Sequence, residues 1–449
     1  MPKSKGRPPP AWRARWYPAA RNGGEAVEPR RVLAADEIRL SDVDFWTRPL
    51  EEREGAFATL RAERPISFHA EIEIPILPRG PGYWAVVKHA DVLEVSRNPE
   101  VFCSGRGTNI ADMPPPFLEF FGSMINMDDP RHGRLRRIVS RGFTPRALGR
   151  WEDDVERVAA EILDAVAPKG ECDFVTDVAA ALPLRIICDM MGIPESQHRF
   201  VFDRTNVILG AGDPEYTPDP DPAKIIPMLL QAGADLSTLV QDLARHRRGH
   251  PGDDLTSALV NAEIEGERLT DAELGAFFVL LVVAGNETTR NAISHGMKAL
   301  CDHPEQRAIW QADFEGVAPT AVEEIVRWAT PVIHFRRTAT RDTELRGQRI
   351  REGEKVVMWY ASANRDEDAF EDPFRFDVRR TPNEHVGFGG PGPHHCLGAH
   401  LARREITVAF RELFRRLPDL EVTGEPERLR SFFIHGIKHM PCAFTPRSA

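Results

Sequence analysis

Phe388-Gly389-Gly390-Pro391-Gly392-Pro393-His394-His395-Cys396-Leu397-Gly398 puts one cysteine at the end of a glycine-rich loop, directly before an amphipathic helix. Apolar residues then recur at Ile406, Phe410, Leu413 and Leu417, the three-to-four spacing of one helix face. A thiol at a helix N-terminus has its anion stabilised by unpaired backbone N–H groups and by the helix dipole. Glycines on both sides let backbone approach a flat partner where a Cβ would clash. The arrangement suits a thiolate held against a planar iron cofactor, with nearby N–H groups tuning the sulfur. Three plainer readings compete: an inert buried cysteine, a zinc site that includes His394 and His395, and glycines that only make a turn. Zinc needs about four ligands at recognisable spacings, and no second Cys or His pair is placed to supply them. The pattern Phe-Gly-Gly-x-Gly-x-His-x-Cys-x-Gly is also long and fixed in spacing, which makes chance a poor explanation.

The stretch resembles the haem-ligand signature of the cytochrome P-450 superfamily, the haem-thiolate monooxygenases. In the commoner version the aromatic lies one position closer to the cysteine, whereas here Gly389 and Gly390 separate Phe388 from the rest of the loop. The resemblance implies haem b (iron protoporphyrin IX) as cofactor and Cys396 as the axial ligand of its iron. Phe388, Gly389, Gly390, His394 and Gly398 would pack around it.

Composition agrees with a soluble enzyme. The net charge is −10 and 42% of the 449 residues are hydrophobic, which argues against a nucleic-acid binder. The six cysteines show no paired spacing, so a reducing, cytoplasmic setting is expected. The longest apolar run, 276–285, is about half of the ~20 residues a membrane span needs, and no apolar leader opens the chain, so no membrane anchor is expected. Residues 1–30 read as a basic, proline-rich tail that is disordered, and 31–449 as a single domain.

Along the chain, 50–64 has helical periodicity, 65–69 and 82–87 read as strands, and 91–96 turns helical. Residues 103–127 form a long connection rich in aromatics, Phe117 among them, of the kind that lines a pocket. A basic helix begins near Asp128 and sets His132 and Arg136 four apart on one face. A solvated basic face is the ordinary reading; a clamp for buried carboxylates is the functional one. In the family this helix contacts the haem propionates, so the resemblance implies that role for His132 and Arg136. Residues 151–193 and 200–247 are mainly helical, the second interrupted by a proline-rich connector at 216–222.

Thr270-Asp271-Ala272-Glu273 fits a capping box, and a long helix follows to about Cys301. Its middle reads Ala284-Gly285-Asn286-Glu287-Thr288-Thr289. Glycine and paired threonines inside a buried helix cost stability. A kink with hydroxyls bonded to backbone explains the threonines but not the acid beside them. An acid–alcohol pair can relay protons. The segment resembles the family's oxygen-activation motif, which implies that Thr288 and Glu287 deliver protons while Ala284 and Gly285 leave room above the iron.

Glu324 and Arg327 lie one helical turn apart, usually a weak surface pair. The segment that holds Arg375 resembles the family's second arginine-bearing stretch, which implies a structural triad of Glu324, Arg327 and Arg375. Arg337 falls where the family places another propionate partner, with Arg336 as a possible substitute, and His394 joins this set. Val332, Ile333, Phe335 and, on a later hairpin, Phe433 are candidate pocket residues with Phe117, while Phe432 reads as core.

The motifs together imply a mainly α fold with a smaller β-rich region, the cytochrome P-450 fold. The expected reaction inserts one oxygen atom from O2 into a C–H bond of an apolar small molecule. No flavin or iron–sulfur segment is recognisable, so electrons are expected from a ferredoxin and its NAD(P)H-dependent reductase. Arginines at 134–141 and Arg403 and Arg404 are candidates for that docking. Local phrases look most like actinobacterial hydroxylases of sterol side chains, terpenoids or methyl-branched lipids. A tailoring hydroxylase or epoxidase of secondary metabolism is the alternative. A peroxide-driven peroxygenase is disfavoured by the Glu287-Thr288 pair, and a non-enzymatic haem-thiolate sensor would show no turnover with redox partners.

Overall fold

The computed structural model describes residues 29–71, 80–113, 115–211, 213–219, 221–263 and 266–447. Nearly all of the basic tail, and the turn residues 78 and 79, lie outside them. Helices dominate. Those that frame the large cavity are α1 (Arg131–Val139), α2 (Glu152–Val166), α3 (His198–Leu209), α4 (Pro222–Gly249), α5 (Asp271–Asp302), α6 (Phe314–Ala329) and α7 (Ala399–Arg416).

The centre of the molecule is α5. The Thr270 hydroxyl accepts from the Glu273 N–H while Glu273 reaches back to the Thr270 N–H, closing the capping box that its sequence announces. Its 32 residues extend for about 48 Å at 1.5 Å per residue, enough to cross the whole domain. It is long and apolar enough to cross a membrane, yet it runs through the main core, where Phe278, Val279 and Val282 are fully buried. It packs on α4, α6 and α7. The apolar stripe of α7 (Ile406, Phe410, Leu413, with Leu417 just beyond) enters the same core.

The β-rich part is a sheet of β1 (Ile66–His69), β2 (Tyr83–Val86), β3 (Phe102–Cys103), β4 (His334–Ala339) and β5 (Lys355–Trp359), in the order β1-β2-β5-β4-β3. The β2–β5 pair is parallel and the others antiparallel. Side chains alternate across a strand, so neighbouring Arg336 and Arg337 leave β4 on opposite faces. The segment 103–127 is not a structureless connection: it contains a helix, Pro115–Gly122, and a 3-10 turn, Ser123–Asn126. Its run of apolar residues is short enough to pass for a loop in sequence. All six cysteines are free thiols.

Candidate active site

The glycine-rich loop delivers Cys396 to the wall of a cavity of about 230 Å³, the larger of the two principal cavities. The Cys396 N–H donates to the Phe388 carbonyl at 2.9 Å, which closes the loop. Gly389 takes φ +84°, a left-handed conformation that suits only glycine easily. A Cβ on Gly390 would lie 2.8 Å from the Ser96 side chain, so the loop can lie against its neighbour only without one. Phe388, which the longer loop had left without an obvious place, lines the cavity with its ring beneath the Arg403 guanidinium, 4.4 Å from the ring centre. Burial pushes the Cys396 thiol up, while the Gly398 N–H and the cations Arg136 and Arg403 pull it down.

The cavity wall carries two guanidinium cations and two imidazoles. His132, Arg136, Arg337 and His394 all line it. The His132 and His394 rings lie 4.3 Å apart. Arg337 donates only to the Arg336 carbonyl, Arg136 donates to the His395 carbonyl at 2.6 Å, and His132 Nε2 is buried without a partner among the described residues. Neither arginine has a carboxylate partner within ion-pair distance there. All four are held below their ordinary pKa: burial comes first in each case, and for His394, pushed to about 2, the charges of Arg337, His132 and Arg136 follow. Buried charge of one sign costs several kcal/mol unless an opposite charge enters. A planar cofactor with two carboxylates satisfies that demand, so these residues fit haem b. Arg336 does not substitute for Arg337: it points the other way, onto Asp112 at 2.7 Å.

The opposite supply of residues comes from α5. Ala284, Gly285, Thr288 and Thr289 line the cavity, and the Thr288 hydroxyl donates to the Ala284 carbonyl one turn earlier. Gly285 serves packing as well as clearance, since a Cβ there would meet Ile187 at 2.6 Å. Glu287 is buried and points away from the cavity. Its carboxylate pairs with Arg290 and accepts from Asn291 Nδ2 at 2.9 Å. Arg290 in turn donates to Asn206 on α3 at 3.3 Å.

The triad needs a correction. Glu324 and Arg327 form a fully buried two-point pair at 2.7 and 2.8 Å. The third member is Arg380, whose Nε lies 3.1 Å from Glu324 Oε2. The Arg375 side chain is 59% exposed, and only its carbonyl takes part, accepting from Arg327 and Arg380. Two arginines five positions apart on one irregular segment are indistinguishable by pattern, and the intervening turns decide which faces inward. The set still holds the ligand loop, because Arg327 grips the Asn364 and Pro373 carbonyls and Asn364 Oδ1 accepts from Val386 N–H.

The pocket expectations divide. Val332 and Phe335 line the cavity with Met124, Ile125, Leu280 and Leu281. Phe117, Ile333 and Phe433 do not: Ile333 lies in a separate core with Trp359, Phe433 backs Phe335 at 5.5 Å, and Phe117 packs towards Phe121. Phe432 is partly buried against the Ile333 core, as its core reading expected. The docking arginines are mostly committed internally. Arg134 pairs with Glu267 and Glu273, Arg403 with Glu323, and Arg404 with Glu156.

Sequence reasoning missed two groups. Glu323 accepts from Arg403 and His385, tying α6 to α7 and to the loop. Burial works against its ionisation, but those two partners prevail and bring it to about 2. Glu405, on α7 in the cavity wall, is buried and lies within hydrogen-bonding reach of Thr289. An acid nine positions beyond Cys396, on the buried stripe of an amphipathic helix, was the available signal.

Comparison with known proteins places this geometry among relatives. The family described as Cytochrome P450 matches residues 219–429. A methyl-branched lipid omega-hydroxylase of Mycobacterium tuberculosis is 53% identical over 420 residues, covering 93% of this chain and 96% of that protein. A steroid C26-monooxygenase of Mycolicibacterium smegmatis is 44% identical over 420 residues, covering 90% and 94%. A Mycobacterium marinum cytochrome P450 solved with pseudoionone superposes with a TM-score of 0.86 at 48% identity, covering 92% of this chain and 100% of that one.

Proposed function

Because the chain belongs to the cytochrome P450 family, we propose that this monooxygenase hydroxylates a methyl-branched lipid near the end of its chain, with a sterol side chain as the nearest alternative substrate. One observation carries the reading. The cavity sets Cys396 and a carboxylate-seeking group of cations on one part of its wall, and an almost purely apolar surface from α5 and its neighbours on another. A substrate there finds no charged anchor on the apolar part, so a hydrocarbon end enters and any polar head stays outside.

Cys396 would hold the haem iron as thiolate, and His132, Arg136, Arg337 and His394 would hold the two propionates. Bound haem supplies the chemistry that inserts one atom of O2 into the C–H bond. The protein's own part is to exclude water and to manage protons. Thr288 keeps a hydroxyl at the wall, and Glu287 stands behind it in reserve, held by Arg290 and Asn291. For Glu287 to deliver a proton it must leave Arg290, which makes that pair a gate. Electrons come from separate proteins, a ferredoxin and an NAD(P)H-dependent reductase, in the cytoplasm.

The test is a binding and product screen with methyl-branched fatty acids, sterols and terpenoids of matched length. The expected result is a substrate-induced spectral shift strongest for the branched lipid, with the hydroxyl on its terminal carbon. Preference for a ring position of a sterol or terpenoid would overturn the substrate reading and leave the monooxygenase reading standing.

A further inference from the structure

Two buried cations stand on the face of the sheet turned away from the cavity. Arg336 on β4 and Lys355 on β5 are 1% and 3% exposed. The register sets them diagonally across the antiparallel pair, on one face. Like charges so placed repel unless an anion lies between them. Asp112 supplies it: its Oδ1 accepts from Arg336 Nη1 at 2.7 Å, and its Oδ2 lies 2.8 Å from Lys355 Nζ. Glu71 accepts another Lys355 bond at 2.7 Å, whereas Asp112 is the one carboxylate partner of Arg336 among the described residues. Both cations also donate to the Ile110 carbonyl, Arg336 at 3.2 Å and Lys355 at 2.9 Å, and Arg336 donates to the Arg106 carbonyl as well. The stretch from Arg106 to Asp112 is therefore fixed to the sheet by charge.

That stretch is one limb of a loop that reaches the cavity wall. The Asp128 carboxylate closes its base, accepting from the Ser104 and Gly105 N–H groups at 2.7 and 2.9 Å. Thr108 crosses it, donating to Asn126 Oδ1 at 2.7 Å, and Asn126 directly follows Met124 and Ile125 in the wall. At the far side Phe120 and Phe121 lie against Gly233 of α4, where a Cβ would come within 2.5 Å of the Phe120 ring. We propose that Asp112 is a positioning residue for the substrate: by bridging Arg336 and Lys355, and through the Thr108–Asn126 tie, it holds Met124 and Ile125 in place and so selects which substrate carbon reacts. The inference rests on the hydroxylase reading above and names a determinant of that cavity's selectivity. Asp112 itself lies outside the cavity lining and acts only through the loop. Partial burial opposes its ionisation, but Lys355 and Arg336 prevail and hold the carboxyl below its ordinary range, so the bridge is charged at neutral pH. Its side chain is 54% exposed, so replacing it opens no hole in the apolar core.

The experiment compares haem-loaded wild type, Asp112→Asn, Asp112→Glu and Thr108→Val, with isopalmitic acid, a methyl-branched fatty acid, as the probe. Asp112→Asn keeps the shape and removes the charge. It is expected to spread hydroxylation from the terminal carbon to inner carbons and to raise the Kd of the probe roughly tenfold, within the ~100-fold that a misplacement of about 1 Å can cost. Asp112→Glu restores the charge and should recover both. Thr108→Val leaves the bridge intact but cuts the tie to Asn126, and should spread the products as Asp112→Asn does. If Asp112 only stabilises the fold, Asp112→Asn lowers Tm while the remaining holoenzyme gives the wild-type product distribution, and that result overturns the proposal. Hydrogen exchange needs no turnover: amides between Ser104 and Asn126 should exchange faster in Asp112→Asn, and unchanged exchange would overturn the proposal too. A wild type that leaves isopalmitic acid unoxidised would sink the substrate reading beneath it, with the exchange comparison still deciding on Asp112.

Discussion

At Thr288 the hydroxyl is spent on the Ala284 carbonyl, an arrangement that also serves simply to relax a helix kink. What separates the two roles is coupling. Thr288→Ala should leave haem binding intact but divert reducing equivalents to hydrogen peroxide, cutting product per electron pair by roughly 100-fold, the scale of a lost acid–base group. Unchanged coupling, measured by oxygen uptake against product, would remove Thr288 from the proton path. Arg337 is the sharper test of the cofactor fit. It is buried, charged and without a carboxylate partner among the described residues. Arg337→Met should weaken haem retention by roughly tenfold or more, since a charged hydrogen bond contributes ~1.5–3 kcal/mol. Haem transfer to an apoglobin acceptor measures it directly, and an unchanged transfer rate would contradict the propionate role.

At the scale of elements, the question is what fixes the ligand loop. Removing one partner of a buried ion network leaves the other charge stranded, at a cost of ~3–5 kcal/mol. Arg380→Met should therefore destabilise the holoprotein by about 3 kcal/mol in urea unfolding, while Arg375→Ala should stay within about 0.5 kcal/mol, as exposed substitutions do. The reverse ranking would restore Arg375 to the triad. The loop has a second anchor in Glu323. Its folded pKa of about 2 lies below its unfolded value, so it stabilises the fold above roughly pH 4.5. That contribution is lost as pH falls towards 2, and Glu323→Gln should flatten the acid side of the stability profile. The linear signals at this scale were readable in the chain: the capping box at Thr270 and the α7 stripe lie where the sequence puts them. What periodicity cannot resolve is side-chain direction on irregular backbone. Arg375 against Arg380 was such a choice, and so was whether Ile333 or Val332 faces the cavity. Glu287 was legible as an acid beside an alcohol, but its pairing with Arg290, one turn along the same helix, turns it out of the wall.

Over the whole molecule, a mainly helical body and a small mixed sheet hold two charge systems. One is self-satisfied, the Glu324 network. The other, around His132, Arg136, Arg337 and His394, holds two guanidinium charges that have no carboxylate partner among the described residues and that the carboxylates of a haem would offset. Most residues of both were visible in sequence, because they sit in motifs of fixed spacing; Arg380 of the Glu324 network was not. Glu405 and Glu323 were not, because their importance arises from which helices meet, and no local pattern encodes that contact. The central claim is that Cys396, presented by the Phe388 loop, is the thiolate ligand on which the rest of the cavity is built. Its direct test is the carbon-monoxide difference spectrum of the reduced, haem-loaded protein. Wild type should give the band near ~450 nm that a thiolate ligand produces, and Cys396→Ala should lose it while retaining its fold. A band that survives in Cys396→Ala would contradict the account.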